Sequence, residues 1–277
     1  MRLSLVDARR IQEVIATVAE SQLMPRFAEV ERLNIREKGS AFDVATEIDD
    51  LVEKNISAHL LRMYPNAVIV GEEAASADES LLEALGYADL AFLIDPIDGT
   101  KNFVSGVPLF GVMVAAVVRG EIVFGAIHDP VCRDTSLVLK GEGAWQENKK
   151  GETFDLKVAT PVPVSEMSGV VGTNFLPPNL KQIVAQNMSK IGLNYWFRCA
   201  AHEYRMASRG NCHFLCYNRI LPWDHAAGWL LHSEAGGYSA HFDGSYYSVT
   251  HRTGGLLCAP DEESWEMLRA ALFEINV

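Results

Sequence analysis

The chain has 277 residues, 48% hydrophobic and 22% charged, with a formal net charge of −12. That composition supports one large core or two closely packed halves and excludes a disordered or fibrous chain. The acidic balance, with an isoelectric point near 5.1, argues against nucleic acid or an anionic membrane as the main partner, although bound metal ions can reverse the sign locally and admit an anionic substrate.

In chain order, Leu5, Ile11, Val14, Ile15, Val18 and Ala19 recur at helical spacing. Asp7, Arg9 and Arg10 interrupt any apolar core of the kind a signal peptide needs. "NIREKGSAFDVATEID" is polar and is expected to be a mobile loop, followed by a helix over Ile48–Met63 that "YPN" ends. "AVIVGEE" and "LAFLIDP" read as buried strands, and "FGVMVAAVV-RGE-IVFGAIHDP" as a hairpin. "DTSLVLKGEGAW" suggests further strands. "VATPVPVSEMSG" marks the crossing between an N-terminal half (1–160) and a C-terminal half (161–277) in which strands and helices alternate. The helices there are expected from about Pro178 to Ile191, in "AAHEYRMASRG", in "WDHAAGWLLHSEAGG" and in "DEESWEMLRAALFEI". The longest apolar run is too short to cross a membrane. The five cysteines are odd in number and form no visible disulfide framework, so a cytoplasmic setting is expected. Cys212, His213 and Cys216 lack a second Cys/His pair and read as small core residues rather than a soft-metal site.

Acidic residues recur at the ends of four apolar segments. In "FLIDPIDGTKNFV", Pro96 has no amide hydrogen and should end the strand near Asp95. Asp98 and Gly99 then form a turn, with glycine free to take positive φ. Two carboxylates so close repel unless they share a proton or a cation, and oxygen-only ligands favour a hard ion such as Mg²⁺. "IVGEEAA" adds Glu72 and Glu73, "FDVATEIDD" adds Asp43, Glu47, Asp49 and Asp50, and "PWDHAAGW" adds Asp224. The plain alternatives are a solvated Asp-Gly turn, acids in the first turn of a helix and an N-cap aspartate. Taken together, the four clusters fit a phosphatase that uses metal ions to neutralise phosphate and lower the pKa of a bound water.

"GEE", "DPIDGTKNF" and "PWDHAAGWLLHSEAGG", in that order and spacing, closely resemble the inositol monophosphatase family of Mg²⁺-dependent, lithium-sensitive phosphatases. "DVATEID" resembles its Asp-x-Val-Thr-x-x-Asp segment. The resemblance implies an α+β fold, the layered α-β-α-β-α sandwich of the sugar phosphatases. It implies two or three Mg²⁺ ions, with Mn²⁺ as a substitute and Li⁺ as an inhibitor. Glu72, Asp95 and the carbonyl of Ile97 would hold one metal, Asp95, Asp98 and Asp224 a second, and a weaker third would lie near Glu72. Asp49 and Thr100 would orient the attacking water with help from Glu72, and the Gly99 and Thr100 amides would hold the phosphate. Substrate contacts would come from Asp98, Gly99, Thr100, Tyr217 and Asp224, with Lys38 either near the site or a surface lysine. The implied reaction is in-line attack of a metal-activated water on a small phosphorylated metabolite, without a phospho-enzyme, in a homodimer.

Two departures bear on substrate. The family often carries glutamate seven residues before the aspartate of "PWD"; here Tyr217 stands there, uncharged and bulkier. The family's "GSAALDLAYVAAG" helix is replaced by the far more polar "RCAAHEYRMASRG". Either this helix faces solvent or a dimer partner, or Arg198, His202 or Arg205 reaches the leaving group or a second phosphate. Fructose-1,6-bisphosphatase, histidinol-phosphatase and nucleotide bisphosphate phosphatase therefore stand as alternatives, and an RNA- or transcription-associated regulator as a non-enzymatic one.

Overall fold

Ser4 and Asp7 cap one another and start helix α1 (Leu5–Val18) in a computed structural model that describes residues 3–40 and 43–274. The helix widens into a π turn over Ala19–Leu23 before α2 (Met24–Phe27). Pro25 accounts for the widening, because its ring would clash with the carbonyl one turn back in a regular helix.

The segment expected to be a loop is instead a two-stranded antiparallel ribbon, β1 (Ile35–Ser40) and β2 (Asp43–Thr46), with Ile35 opposite Thr46. Cross-strand pairing satisfies its backbone although Ile35, Arg36 and Glu37 are exposed, and the Arg36 guanidinium ties it to the Thr46 carbonyl and the Asp50 carboxylate. Lys38 and Asp43 lie on these strands by their backbone, but their side chains lie outside the described residues. Thr46 then caps α3 (Glu47–Met63) in a capping box with Asp49.

Seven strands form one sheet in simple sequence order: β3 (Val68–Gly71), β4 (Ala91–Asp98), β5 (Gly111–Val118), β6 (Glu121–Asp129), β7 (Asp134–Leu139), β8 (Gly143–Glu147) and β9 (Thr153–Asp155). Only β3 and β4 run parallel. Helix α4 (Glu72–Ala77) follows β3, and the short α5 (Thr100–Phe103) follows β4. A second sheet has the order β11 (Leu193–Tyr195), β10 (Ser168–Val171), β12 (Phe214–Tyr217), β14 (Leu256–Ala259), β13 (Tyr238–Ala240). The remaining helices are α6 (Pro178–Asn187), α7 (Ala200–Ser208), α8 (Pro222–Glu234) and α9 (Glu262–Phe273).

The two-residue period of the strands sorts their side chains into layers. Phe92, Ile94, Val112, Val114, Phe124 and Leu137 pack on Ile11 and Ile15 of α1 and Val52, Ile56 and Leu60 of α3. Their neighbours Leu93, Met113, Ala115, Ile127 and Val138 face the other way, onto Tyr204 of α7 and Ala226, Ala227 and Leu230 of α8. The same central helices meet Leu215, Leu256 and Cys258 of the second sheet. The far face of that sheet, with Phe214, Cys216 and Leu257, packs on Val184 of α6 and Leu268 and Leu272 of α9. The result is five alternating layers, the α-β-α-β-α sandwich implied by the sequence resemblance.

The polar helix α7 is neither at the surface nor an open dimer face. Glu203, Tyr204 and Arg205 are all buried. Arg205 donates to Asp129 at 2.7 Å and also pairs with Asp134. Glu203 accepts the Tyr217 hydroxyl at 2.8 Å and the Phe197 amide at 2.9 Å. Arg205 enters the interior because its charge is paired there, and Glu203 because burial raises its carboxyl toward the neutral form while both oxygens stay hydrogen-bonded.

Candidate active site

Strand β4 does not stop at Asp95. It continues to Asp98 through a bulge, with Asp95 opposite Met113 and Asp98 opposite Gly111. Pro96 sits inside that bulge, where its missing amide breaks no regular ladder bond. The bulge sets the two carboxylates at one end of the sheet. Gly99 then takes φ +84°, and its position is crowded: a Cβ there would lie 2.9 Å from the Leu109 carbonyl oxygen. Helix α5 starts at once with Thr100.

A cavity of about 400 Å³ opens over this turn. Glu72, Asp95, Asp98 and Asp224 line it, as do Ile97, Gly99, Thr100 and Tyr217. Glu72 is the first residue of α4, and Asp224 is the third of α8. Leu221, not Asp224, caps α8, and the buried Pro222 and Trp223 fix the chain at its start. Asp224 is thereby left to face the cavity. Sequence reasoning on these acids thus picks out residues from three separate elements, β4, α4 and α8, that converge in space.

Asp49 and Thr100 also meet. The Thr100 hydroxyl lies 3.2 Å from Asp49 Oδ1 and 2.7 Å from the Ile97 carbonyl oxygen. The other Asp49 oxygen accepts the Thr46 amide at 2.7 Å and the Thr46 hydroxyl at 2.8 Å. The capping box that starts α3 therefore also aims Asp49 at Thr100. Burial pushes the Asp49 carboxyl up to about 7, against the Thr46 hydrogen bonds.

The cavity acids are held on separate tethers. The Asp95 carboxylate accepts the Ile97 amide at 3.1 Å. Asp98 Oδ2 accepts the Ala201 amide at 2.5 Å and the Cys199 thiol at 3.0 Å. Burial pushes Asp98 up to about 6 and Asp224 well above the usual carboxylate range, and in both the Glu72 charge adds to the rise. Asp224 is also hydrogen-bonded to Asp95. Among the described residues no three acid, histidine or cysteine side chains form a ready-made metal cage. The donor set nonetheless fits a hard divalent cation: four carboxylates and the Ile97 carbonyl, all oxygen, two of them driven up by burial and neighbouring negative charge.

Tyr217 is on the cavity wall as expected, but its hydroxyl is committed to Glu203. His202 and Arg205 do not reach the cavity. His202 Nε2 meets the Phe110 carbonyl at 3.1 Å, and Arg205 is held by its two aspartates. Arg198 does line it. Cys212 and Cys216 are buried, the core role expected of them, whereas His213 is half-buried and contacts Ser168.

Two positions escaped sequence reasoning. His225 lines the cavity as a neutral ring, pushed down to about 4 by burial, and bridges the Tyr204 hydroxyl and the Arg219 carbonyl. Glu53 lies beneath the start of α4 and accepts the Glu73 amide at 2.8 Å and the Ala74 amide at 3.1 Å. A Cβ at Gly71 would fall 2.1 Å from the Glu53 carboxyl carbon, so any side chain there would push the Glu53 carboxylate off these amides. An acid on the apolar stripe of α3, four residues after Asp49 and three before Ile56, was the available signal.

The sequence profile described as the inositol monophosphatase family matches residues 7–276. The chain belongs to the inositol monophosphatase family. Among its relatives, the inositol monophosphatase of Dictyostelium discoideum is 33% identical over 204 residues, 71% of each chain. The Nus factor SuhB of Pseudomonas aeruginosa is 31% identical over 232 residues, 79% of this chain and 81% of the relative. A fructose-1,6-bisphosphatase/inositol-1-monophosphatase of Thermotoga maritima is 29% identical over 213 residues, 76% of each. The crystal structure of the extragenic suppressor protein suhB from Bartonella henselae superposes with a TM-score of 0.83 at 26% identity, covering 97% of this chain and 98% of that one. Membership in the inositol monophosphatase family thus rests on sequence along nearly the whole chain and on the five-layer fold. Among the described residues no helix is long and apolar enough to cross a membrane.

Proposed function

We propose that this protein is a Mg²⁺-dependent phosphomonoesterase acting on a small phosphorylated alcohol of the inositol monophosphate type. The observation that carries the reading is the Asp49–Thr100 contact at the edge of a cavity into which Glu72, Asp95, Asp98 and Asp224 converge. Two or three bound Mg²⁺ ions would neutralise the phosphate, acidify a water and stabilise the leaving oxygen. Glu72, Asp95, Asp98, Asp224 and the Ile97 carbonyl would hold them. Asp49, with its carboxyl raised to about 7, can accept a proton passed from a water through the Thr100 hydroxyl near neutral pH. The backbone at Gly99 and Thr100 would seat the phosphate, while Asp98, Asp224 and the Tyr217 ring border the alcohol. Positioning and charge stabilisation carry the reaction, with no covalent intermediate on the protein. On the same reading Li⁺ inhibits, Mn²⁺ substitutes, and the working form is a cytoplasmic homodimer.

The test is phosphate release from inositol 1-phosphate, fructose 1,6-bisphosphate, histidinol phosphate and adenosine 3′,5′-bisphosphate, with Mg²⁺ and with chelator. Magnesium-dependent release that Asp95→Asn abolishes is expected. No release from any of them, with Mg²⁺ or Mn²⁺, would sink the proposal. Similarity to proteins named Nus factor SuhB favours a second reading, a transcription-associated regulator. That reading prevails if Asp95→Asn ends phosphate release and leaves the cellular role intact.

A further inference from the structure

We propose that Arg198 forms a second anion subsite at the mouth of the cavity, so that the preferred substrate is a phosphomonoester bearing another anionic group, such as a second phosphate. The inference deepens the phosphatase reading and rests on it. Its first support is backbone geometry. Arg198 has φ +55°, in the left-handed region where a side chain costs folding free energy and glycine does not. Two other arginines with positive φ, Arg119 and Arg133, sit in exposed tight turns between antiparallel strands. Arg198 does not; it joins β11 to α7.

The surroundings force the conformation. The buried Asn102 side chain donates to the Phe197 carbonyl at 2.7 Å and to the Leu109 carbonyl at 2.8 Å. Its oxygen accepts Arg198 Nη2 at 2.9 Å. The Phe197 amide is fixed on buried Glu203, and on the other side the Cys199 thiol is fixed on Asp98. A residue is kept in a costly conformation only where its neighbours over-determine it, and such positions cluster at ligand clamps.

What the arrangement delivers is a guanidinium at the cavity. Arg198 is exposed and lines the same space as Asp98 and Thr100. A guanidinium has five N–H donors, and the Asn102 contact engages one nitrogen, which orients the rest without exhausting them. Lys101 and Arg219 stand on the same wall, so the cavity is acidic at its inner end and basic at its rim. The inner end takes phosphate through cations. The rim takes a second anion directly, in the fork geometry that suits phosphate or carboxylate.

The test compares kcat/KM for two matched pairs: adenosine 3′,5′-bisphosphate against adenosine 3′-monophosphate, and fructose 1,6-bisphosphate against fructose 1-phosphate. The variants are Arg198→Gly and Arg198→Asn, which both tolerate positive φ and both lack the charge. The wild type should favour the doubly anionic member of at least one pair by about tenfold or more, as for a charge-assisted hydrogen bond. Both variants should lose that preference, with an unchanged or raised melting temperature in Arg198→Gly. A preference that survives in both variants, or is absent in the wild type for both pairs, overturns the subsite. If no compound is hydrolysed at all, the phosphatase reading fails separately, and the same ratios are taken from dissociation constants measured calorimetrically with Mg²⁺. A ratio that collapses in the variants then supports the subsite; an unchanged ratio, or no binding of any member, overturns it.

Discussion

The Glu53 carboxylate accepts the Glu73 backbone N–H at 2.8 Å, linking the middle of α3 to the first turn of α4. Glu53 thus supplies from another helix the cap that Gly71 cannot, since α4 has no side-chain cap of its own. Glu53→Gln places an amide donor against backbone donors. It should lower the unfolding free energy by about 1–3 kcal/mol, read from urea titration. Phosphate release should fall as well, because Glu72 is the residue beside that cap.

Thr100→Ala should reduce kcat for phosphate release by about 10²–10⁴-fold, as for loss of a general acid–base group, with KM changing much less. Thr100→Ser keeps the hydroxyl that meets Asp49 and Ile97, and should retain most of the rate. Steady-state kinetics on the best substrate of the panel decide it. Equal losses in both variants would remove the hydroxyl from the mechanism.

His128, His225 and His232 are each pushed down to about 4 by burial. In the unfolded chain histidine takes up its proton near pH 6.5, while the folded chain resists until about pH 4. The stability these rings contribute is therefore present above about pH 6.5 and lost as pH falls toward 4. Asp49 and Glu203, raised to about 7 and about 8, act in the opposite sense, so the signal is read as a difference. His232→Gln should flatten the acid limb of stability against pH by up to about 1.4 kcal/mol per pH unit. An unchanged limb would show that His232 takes up its proton in the fold as readily as in the unfolded chain.

Arg205→Met should cost about 3–5 kcal/mol, because it strands Asp129 and Asp134 in the interior. Adding Asp129→Asn and Asp134→Asn to that variant should restore part of the loss. Melting temperatures of the single and triple variants measure both effects.

These cases show where the sequence is legible. The carboxylates of "DPIDGT" announce themselves because proline, glycine and two acids leave few local conformations, and the layers follow from apolar periodicity. Asp49 could be read in two ways, as a helix-start acid or as a partner of Thr100, and the structure makes it both. The ribbon of β1 and β2 is not legible, because charged residues such as Arg36, Glu37 and Lys38 replace the apolar alternation that identifies a strand. The polar face of α7 was misread for a different reason. Arg205 finds its partners 76 and 71 positions earlier in the chain, and no local pattern reports a match made at that range. The hydroxyl of Tyr217 is likewise committed to Glu203 by a contact between helix and strand, which residue type alone does not announce.

The central layer is made late. Helices α7 and α8 cover the inner faces of both sheets, yet the seven-stranded sheet is complete in sequence at β9. At about 5–20 residues per second, the roughly eighty residues from β9 to the end of α8 take on the order of 4–16 s to synthesise. Through that interval the cover that α7 and α8 give Leu93, Met113, Ala115 and Val138 is not yet made. A nascent N-terminal portion that pairs its strands in that interval would present part of one apolar face to solvent, and transiently exposed apolar surface of that kind is what chaperones shield, until the helix that carries Asp224 arrives.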